Sequence, residues 1–521
     1  MSAAVTTPLT TEGFYDEVFT PSGLARPHAA QLAHALADLG PEQLADAGHR
    51  RDAIFMQQGI TFDAAGPDAE GPVHDRPFPL DLVPRIIPAE DWVDIKQGLA
   101  QRIRALNHFV DDVYHGREIV RDGIVPWELI ISRPAFARSA FNVRPPGGVY
   151  CHISGCDLVR DADGSWKVLE DNVRTPSGIS YVLENRNAMT RLLPNLFRDY
   201  RVRPVDHYPI LLRKALREIA PTGGEEEPTV VVWTPGPFNS AYFEHSFIAR
   251  QMGVELVEAS DLVIHDATCF MRTTNGLQRV HAIYRRIDDD FMDPLDFRAD
   301  SLLGVPGLMR AYRAGTTAII NAVGTGVADD KAIYHYVPEM VRYYLNEEPI
   351  LQNVKTYLMS DPNQLEECMP RLDELVVKPT SESGGKGVFI GPNATRDELI
   401  AQEAEVRRTP ERWIAQELVK LSTVPTTMPD GSLAPRHVDL RPFAVFGDDI
   451  SIIPGGLTRV ALREGSMIVN SSQGGGSKDT WVLEDDNAPP VEQPTTEWTP
   501  VRMAGMSSGG DWMSQQQQQQ Q

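Results

Sequence analysis

Residues 156–174, CDLVRDADGSWKVLEDNVR, hold two strand-like runs around Asp163-Gly164, a dipeptide favoured in two-residue hairpin turns. Such a turn sets Asp157 directly across from Glu170. Strand alternation then places Glu170, Asn172 and Arg174 on one face and Asp171 on the other. Two like charges opposed on neighbouring strands repel by roughly 1 kcal/mol in water and about 4 kcal/mol at an effective dielectric of 20. A divalent cation would reverse that sign. Two carboxylates and an amide oxygen are hard ligands, too few for a closed calcium cage. Mg2+ or Mn2+ completing its shell with phosphate oxygens therefore fits Asp157, Glu170 and Asn172 best. The same residues also describe a solvated hairpin edge in which Arg174 pairs with a carboxylate.

A second cluster points to phosphate. In VVKPTSESGGKGV, Ser383, Gly384, Gly385 and Gly387 belong to a loop whose backbone N–H groups can approach an anion closely, and Lys378 and Lys386 add charge. The Walker A spacing is absent and a strand follows, which disfavours P-loop chemistry; a plain tight turn remains the competing reading. The next apolar stretch, WIAQELVKL, reads as a strand whose backbone near Gln416, Glu417 and Leu418 can meet an adenine edge. GMSSG at 505–509 lacks the preceding strand of a nucleophile elbow, and the 13 histidines form no H-E-x-x-H pair.

Around these clusters, residues 27–60 read as helical, and 66–88 as a Pro/Gly/Asp-rich loop. Trp92, Ile95, Leu99, Ile103, Leu106, Val110 and Val113 recur at helical steps and predict one long helix with an apolar face. Short strands are expected from about Glu128 to Arg174, then a helix through Leu192, Leu193, Leu196 and Phe197 and another near Leu211. After the linker-like APTGGEEEPT, TVVVWTP, FNSAYFEHSFIARQMGV and LVEA form a strand, helix and strand, a βαβ unit. The segment ending in YRRIDDD adds another strand. From about Ala488 the chain is Pro/Thr-rich and ends in glutamines, a composition that cannot bury enough to order itself. Truncation after Gly509 is accordingly expected to leave melting temperature and nucleotide binding unchanged; a fall of several degrees would contradict it.

Composition removes several function classes. With 49 Lys+Arg against 72 Asp+Glu, the net charge is −23, and no basic run follows a phosphate backbone, so neither nucleic acid nor an anionic membrane is an expected partner. Cys151, Cys156, Cys269 and Cys368 lack the pairing of a zinc site and read as reduced, mostly buried thiols. The N-terminus has no signal-peptide pattern and no stretch reaches a membrane span, so the expected location is cytoplasmic, and the sequons at Asn393 and Asn470 carry no weight.

Taken in order, Asp157…Glu170-Asp-Asn172-Val-Arg174-Thr-Pro-Ser-Gly, YRRIDDDFMDPLDF, NAVGTGVADDK, VVKPTSESGGKG, IAQELV, HVDLRPF and GGLTRVALREGSMIVNSSQGGGSKDTW resemble the circularly permuted ATP-grasp family over roughly residues 75–485. Glu170 and Asn172 precede Lys378, the reverse of the ordinary ATP-grasp order, and glutathionylspermidine synthetase is a more distant relative sharing that inversion. The resemblance implies an α/β fold, an α+β ATP-grasp, permuted, with a Rossmann-like pre-ATP-grasp domain. It divides the chain into a helical N-terminal region (1–75), the permuted part carrying the metal hairpin (76–225), the Rossmann-like domain with connecting helices (226–350), the nucleotide-binding part (351–487) and a disordered tail (488–521).

It further implies ATP as cosubstrate, Mg2+ on Asp157, Glu170 and Asn172, Lys355 and Lys378 on the phosphates, SESGGKG as a flap, and IAQELV as the adenine hinge. One departure is Gly155, where the synthetase-like pattern carries an arginine; Arg174 or Arg441 can take that role, or the acceptor differs. The implied reaction is carboxylate–amine or carboxylate–thiol ligation through an acyl phosphate, on small-molecule or peptide substrates the sequence does not specify. Phosphoryl transfer at the same site, or a catalytically silent ATP-binding scaffold, are the rival readings. Oligomeric state is not encoded in any motif.

Overall fold

The computed structural model describes residues 13–61, 77–222, 227–381, 387–467, 469 and 475–485. Its centre is an eight-stranded sheet. One edge pairs Leu80–Ile87 in parallel with Gly476–Val482, from opposite ends of the sequence. The sheet continues through Leu457–Val460, Leu433–Arg441, Asp157–Arg160, Trp166–Glu170 and Gln352–Asn353, and Thr423–Thr427 branches from Leu433–Arg441 as the eighth strand. A hairpin from the first third of the chain thus sits between strands from its last third.

The predicted long helix spans Ala89–Tyr114. Its apolar stripe serves two cores. Trp92, Ile95, Leu99 and Ile103 pack with Leu158, Val168 and Leu440 of the large sheet, while Leu106, Val110 and Val113 join the core beneath a second sheet. Full burial of each such side chain contributes roughly 1.5–3 kcal/mol. The N-terminal helix, Ala30–Gln58, kinks at Gly40, where φ is 67° immediately before Pro41.

That second sheet has four parallel strands in the order Ala318–Ile320, Ala282–Arg285, Val230–Trp233 and Glu255–Val257. Helix Tyr242–Met252 joins the last two, the βαβ unit expected from TVVVWTP onward. Successive strands are added on both sides of Val230–Trp233, so loops at the carboxyl ends of Val230–Trp233 and Ala282–Arg285 flank a topological switch point, where open α/β sheets form their crevices. A third sheet is antiparallel, ordered Thr356–Leu358, Trp413–Glu417, Leu375–Pro379 and Phe389–Ile390.

Three expectations need correction. The stretch 66–88, expected as loop, ends in a fully buried strand, Leu80–Ile87: its apolar Leu82, Val83, Ile86 and Ile87 pack in the core, and pairing with the distant Gly476–Val482 overrides the local Pro and Asp signals. The strands expected from Glu128 begin only at Ile153; Trp127–Ile131 is a short helix, followed by turns at Arg138–Ala140 and Pro146–Gly148. Pro126, Pro134, Pro145 and Pro146 punctuate that stretch and prevent a continuous ladder. The helix through Leu192 and Phe197 is two helices, Ile179–Leu192 and Pro194–Asp199, divided at Pro194. The tail from 488 and the 505–509 motif lie outside the described residues.

Candidate active site

Asp157 and Glu170 face each other across the hairpin, as the turn predicts, but by another route. The connection is a three-residue loop with Gly164 at φ 85°, closed by Gly164 N–H to Asp161 O at 2.8 Å. It pairs Arg160 with Trp166, Val159 with Lys167 and Leu158 with Val168. An irregularity between Leu158 and Asp157 then restores the Asp157–Glu170 pair.

The charge opposition expected there is resolved within the protein. Asp157 is 0% exposed, and both its oxygens are taken by guanidinium groups. Arg441 Nε lies 2.5 Å and Nη2 2.8 Å from it, and Arg459 Nη2 2.6 Å. Arg459 also pairs with Asp439, directly opposite it in the ladder. These cations hold the Asp157 carboxyl well below the usual carboxylate range despite its burial. Glu170 is only partly buried, with Arg441 Nη2 at 3.7 Å.

Four neighbouring strands therefore carry a row of charges, the carboxylates Glu170 and Asp157 followed by Arg441 with Asp439 and then Arg459. Asp171 points the other way, into a buried bidentate pair with Arg102 at 2.7 Å. Asn172 donates Nδ2–H to Gly155 O at 3.0 Å, which turns its Oδ1 away from that strand. Gly155 matters sterically as well. A Cβ there would lie 3.2 Å from Arg441 Cδ and 3.3 Å from Cγ, so the stem of Arg441 lies across the space a side chain would fill.

A cleft of about 460 Å³ opens on this row. Glu170, Asn172, Arg174, Arg441 and Arg459 line one side, Thr380, Ser381 and Lys331 another, and Ser240, Glu244 and Asp288–Asp290 the end formed by the parallel sheet. Lys378 is partly buried on strand Leu375–Pro379, two residues before Thr380. Burial pushes its ammonium down to about 8, while Glu170 and Asp157 draw it upward and Lys331 and Arg459 repel it. Thr380 and Ser381, which follow the lysine strand, line the same cleft as the hairpin, whereas Lys378 is not among the lining residues.

Other expected residues fall as follows. Lys355 Nζ lies over the Tyr357 ring at 4.7 Å, outside the cleft lining. Gln416 is buried and donates to Thr356 Oγ1 at 3.0 Å. Glu417 accepts from Tyr357 Oη at 2.7 Å and from Arg371, and ladder pairing stops at Glu417, leaving Leu418 beyond it. Gly387 has φ 69° and turns back against Pro379. Ser383, Gly384, Gly385 and Lys386 lie outside the described residues. Arg174 sits between Asp288 and Asp329, each at 3.5 Å from Nε.

The sequence reading missed Lys331 and Arg459, although both lie in blocks that carried the resemblance, GVADDK and GGLTRV. It also missed Asp329, whose carboxyl burial pushes up to about 6.

The chain matches the circularly permuted ATP-grasp type 2 family over residues 84–461. The chain belongs to that family. An uncharacterised protein of Mycobacterium tuberculosis H37Rv is 52% identical over 473 residues, covering 90% of this chain and 84% of that one. One from Synechocystis is 52% identical over 472 residues, covering 90% and 97%. A Frankia alni protein provisionally named glutamate–cysteine ligase 2-3 is 44% identical over 470 residues, but this chain spans only 54% of it. The fold is shared with a glutathione synthetase-like effector of Globodera pallida, with TM-score 0.54 and 12% identity, covering 85% of this chain and 98% of that one. Membership of this ATP-grasp family and the Frankia relatives support an ATP-dependent ligase in general terms. Among the described residues no helix is long and apolar enough to cross a membrane.

ATP-grasp enzymes use ATP with Mg2+, so the oxygen donors bear testing against that ion. Glu170 and Asn172 fit: they are neighbouring hard donors that line the cleft, and among the described residues Glu170 has no closer cation than Arg441, 3.7 Å away. Asp157 as placed does not, because two guanidinium groups already fill its coordination directions.

Proposed function

We propose that the protein is an ATP- and Mg2+-dependent ligase joining a carboxylate to an amine or thiol through an acyl phosphate. The observation that carries this reading is the joint presence, around one cleft, of Glu170, Asn172, Lys331 and the fixed guanidinium of Arg441, with Lys378 on an adjoining strand where Glu170 and Asp157 draw on its charge. Glu170 and Asn172 would hold Mg2+, which when bound neutralises phosphate charge. Lys378 and Lys331 bind the triphosphate, and Arg441, braced by Asp157, neutralises the carboxylate that attacks the γ-phosphate. The acyl phosphate so formed is captured by the amine or thiol, with phosphate leaving.

Neither step needs a protein nucleophile; alignment and charge neutralisation suffice. The adenine is assigned to the edge at Gln416–Leu418. The Frankia name supports ligation of a carboxylate in general; glutamate and cysteine themselves are not carried over from a relative of which this chain spans about half.

The test is to incubate the protein with ATP, Mg2+ and hydroxylamine over a panel of metabolite acids. A hydroxamate formed with ADP is the expected product. ADP without hydroxamate, on an acid the enzyme uses, would favour simple phosphoryl transfer. A second outcome follows from the charge row. Glu170→Ala is expected to weaken Mg–nucleotide binding at least tenfold without lowering the melting temperature, since Arg441 keeps Asp157 as its close partner. Equal calorimetric affinity in mutant and parent would remove Glu170 from the metal site.

A further inference from the structure

Resting on the reading of the cleft as the active site, we infer that Asn321 is a positioning residue that ties the parallel sheet to the strand end bearing Asn172 and Arg174. Asn321 follows strand Ala318–Ile320 and is 2% exposed. Its side chain acts as a strut. Oδ1 accepts the N–H of Ile153 at 2.7 Å. Nδ2 donates to Ile153 O at 2.6 Å, to Val173 O at 2.8 Å and to Arg174 O at 3.3 Å.

A single buried amide thus satisfies both backbone groups of Ile153 in the small strand leading to Gly155, and the carbonyls of the two residues that follow Asn172. Val173 and Arg174 have left the regular ladder, so their polar groups need partners from elsewhere. Their N–H groups are taken by Asp329 Oδ1 at 2.5 and 3.0 Å. The backbone that aims Arg174 is therefore held on both sides by residues 321 and 329 of one loop.

That loop is fixed in turn to the parallel sheet. Arg285, at the end of the neighbouring strand, donates Nε–H to Asn321 O at 2.8 Å and Nη2–H to Ala322 O at 3.1 Å. Asp289 accepts the N–H of Gly324 at 3.0 Å, and Lys331, in the cleft wall, comes two residues after Asp329. Arg174 and Lys331 are consequently registered to the same ten-residue connection, Asn321–Asp330. A displacement of the parallel sheet must carry both cations with it.

The experiment is hydrogen–deuterium exchange on the full-length protein, combined with steady-state kinetics on an acid that passes the hydroxylamine test. In Asn321→Ala, exchange should rise about 10- to 100-fold at Ile153, which loses its acceptor, and at Val173 and Arg174, with Val230–Trp233 unchanged. Asn321→Asp should be worse, because it sets a carboxylate oxygen against three carbonyls.

In kinetics, Asn321→Ala should reduce kcat/KM for the acid at least tenfold. The loss should largely vanish in an Arg174→Ala background, the non-additivity that coupled residues show. Unchanged exchange at 173–174, a uniform rise across the parallel sheet, or additive kinetic losses would overturn the proposal. If no acid supports turnover, the ligase reading falls, and the exchange pattern alone still decides the strut.

Discussion

Replacing Asp157 by alanine is expected to cost about 3–5 kcal/mol of folding stability, the range for removing one partner of a buried ion pair. The carboxylate is fully buried and takes three hydrogen bonds from Arg441 and Arg459. Without it Arg459 retains Asp439, while Arg441 is left with Glu170 at 3.7 Å and the carbonyl of Ser177 at 3.3 Å. The contrast with Glu170→Ala decides what Asp157 does. Were the two carboxylates simply opposed and waiting for a metal, removing either would relieve repulsion and raise stability in metal-free buffer. With the arginines in place, only the Glu170 change is tolerated. Urea unfolding of both variants in EDTA measures this, and a stable Asp157→Ala protein would restore the metal-ligand assignment.

The sign of the pH dependence follows from the same pairs. Asp157 is held below its ordinary range, so its stabilisation is fully present above the unfolded carboxylate pKa, near 4, and is lost as pH falls toward the folded value. The Asp157→Ala protein should therefore lose less stability on acidification than its parent. The gap between the two unfolding midpoints should be full at pH 7 and narrowed, but not closed, at pH 3, because the folded carboxyl is held below that pH.

How far the sequence specified this site depends on the range of the signals. The hairpin, its opposed carboxylates and the sidedness of Glu170, Asp171, Asn172 and Arg174 are local, set by one turn and a period of two, and they could be read directly. Even there the loop has three residues rather than two, and only a compensating irregularity kept Asp157 opposite Glu170. The cations on Asp157 are neither the metal nor the Arg174 that the local pattern offers. Arg441 and Arg459 approach from strands hundreds of positions away, and nothing in periodicity reveals that Leu433–Arg441 pairs with Asp157–Arg160. Lys331 escaped notice for a similar reason: its place in the cleft comes from the loop after Asn321, not from a strand pattern. Long-range pairing was available only through the order of blocks shared with the permuted family.

Lys378→Met should reduce nucleotide affinity by roughly 10- to 150-fold, the equivalent of one charge-assisted phosphate contact, while leaving the metal-free protein as stable as its parent or more so. Both halves come from one observation. The ammonium is drawn into a partly buried position where desolvation lowers its pKa from 10.5 to about 8, despite the attraction of Glu170 and Asp157. Below pH 8 the folded state therefore carries a charge that the unfolded chain solvates better, a cost of up to about 3 kcal/mol that methionine avoids at similar volume. As pH rises from 8 toward 10.5 the parent loses that handicap and the stability gap between the two proteins should close. Binding runs the other way. A triphosphate favours the protonated amine, so above pH 8 nucleotide binding must take up a proton, and parental affinity should fall by up to about tenfold per pH unit. The methionine variant, having no such proton to take up, should show a flatter profile. Calorimetric titration with a non-hydrolysable ATP analogue between pH 7 and 9.5, beside thermal unfolding of both proteins, tests each part. A variant that binds nucleotide like its parent would place the phosphates away from Lys378; one that binds weakly and is also less stable would mean that the lysine supports the sheet rather than waiting for an anion.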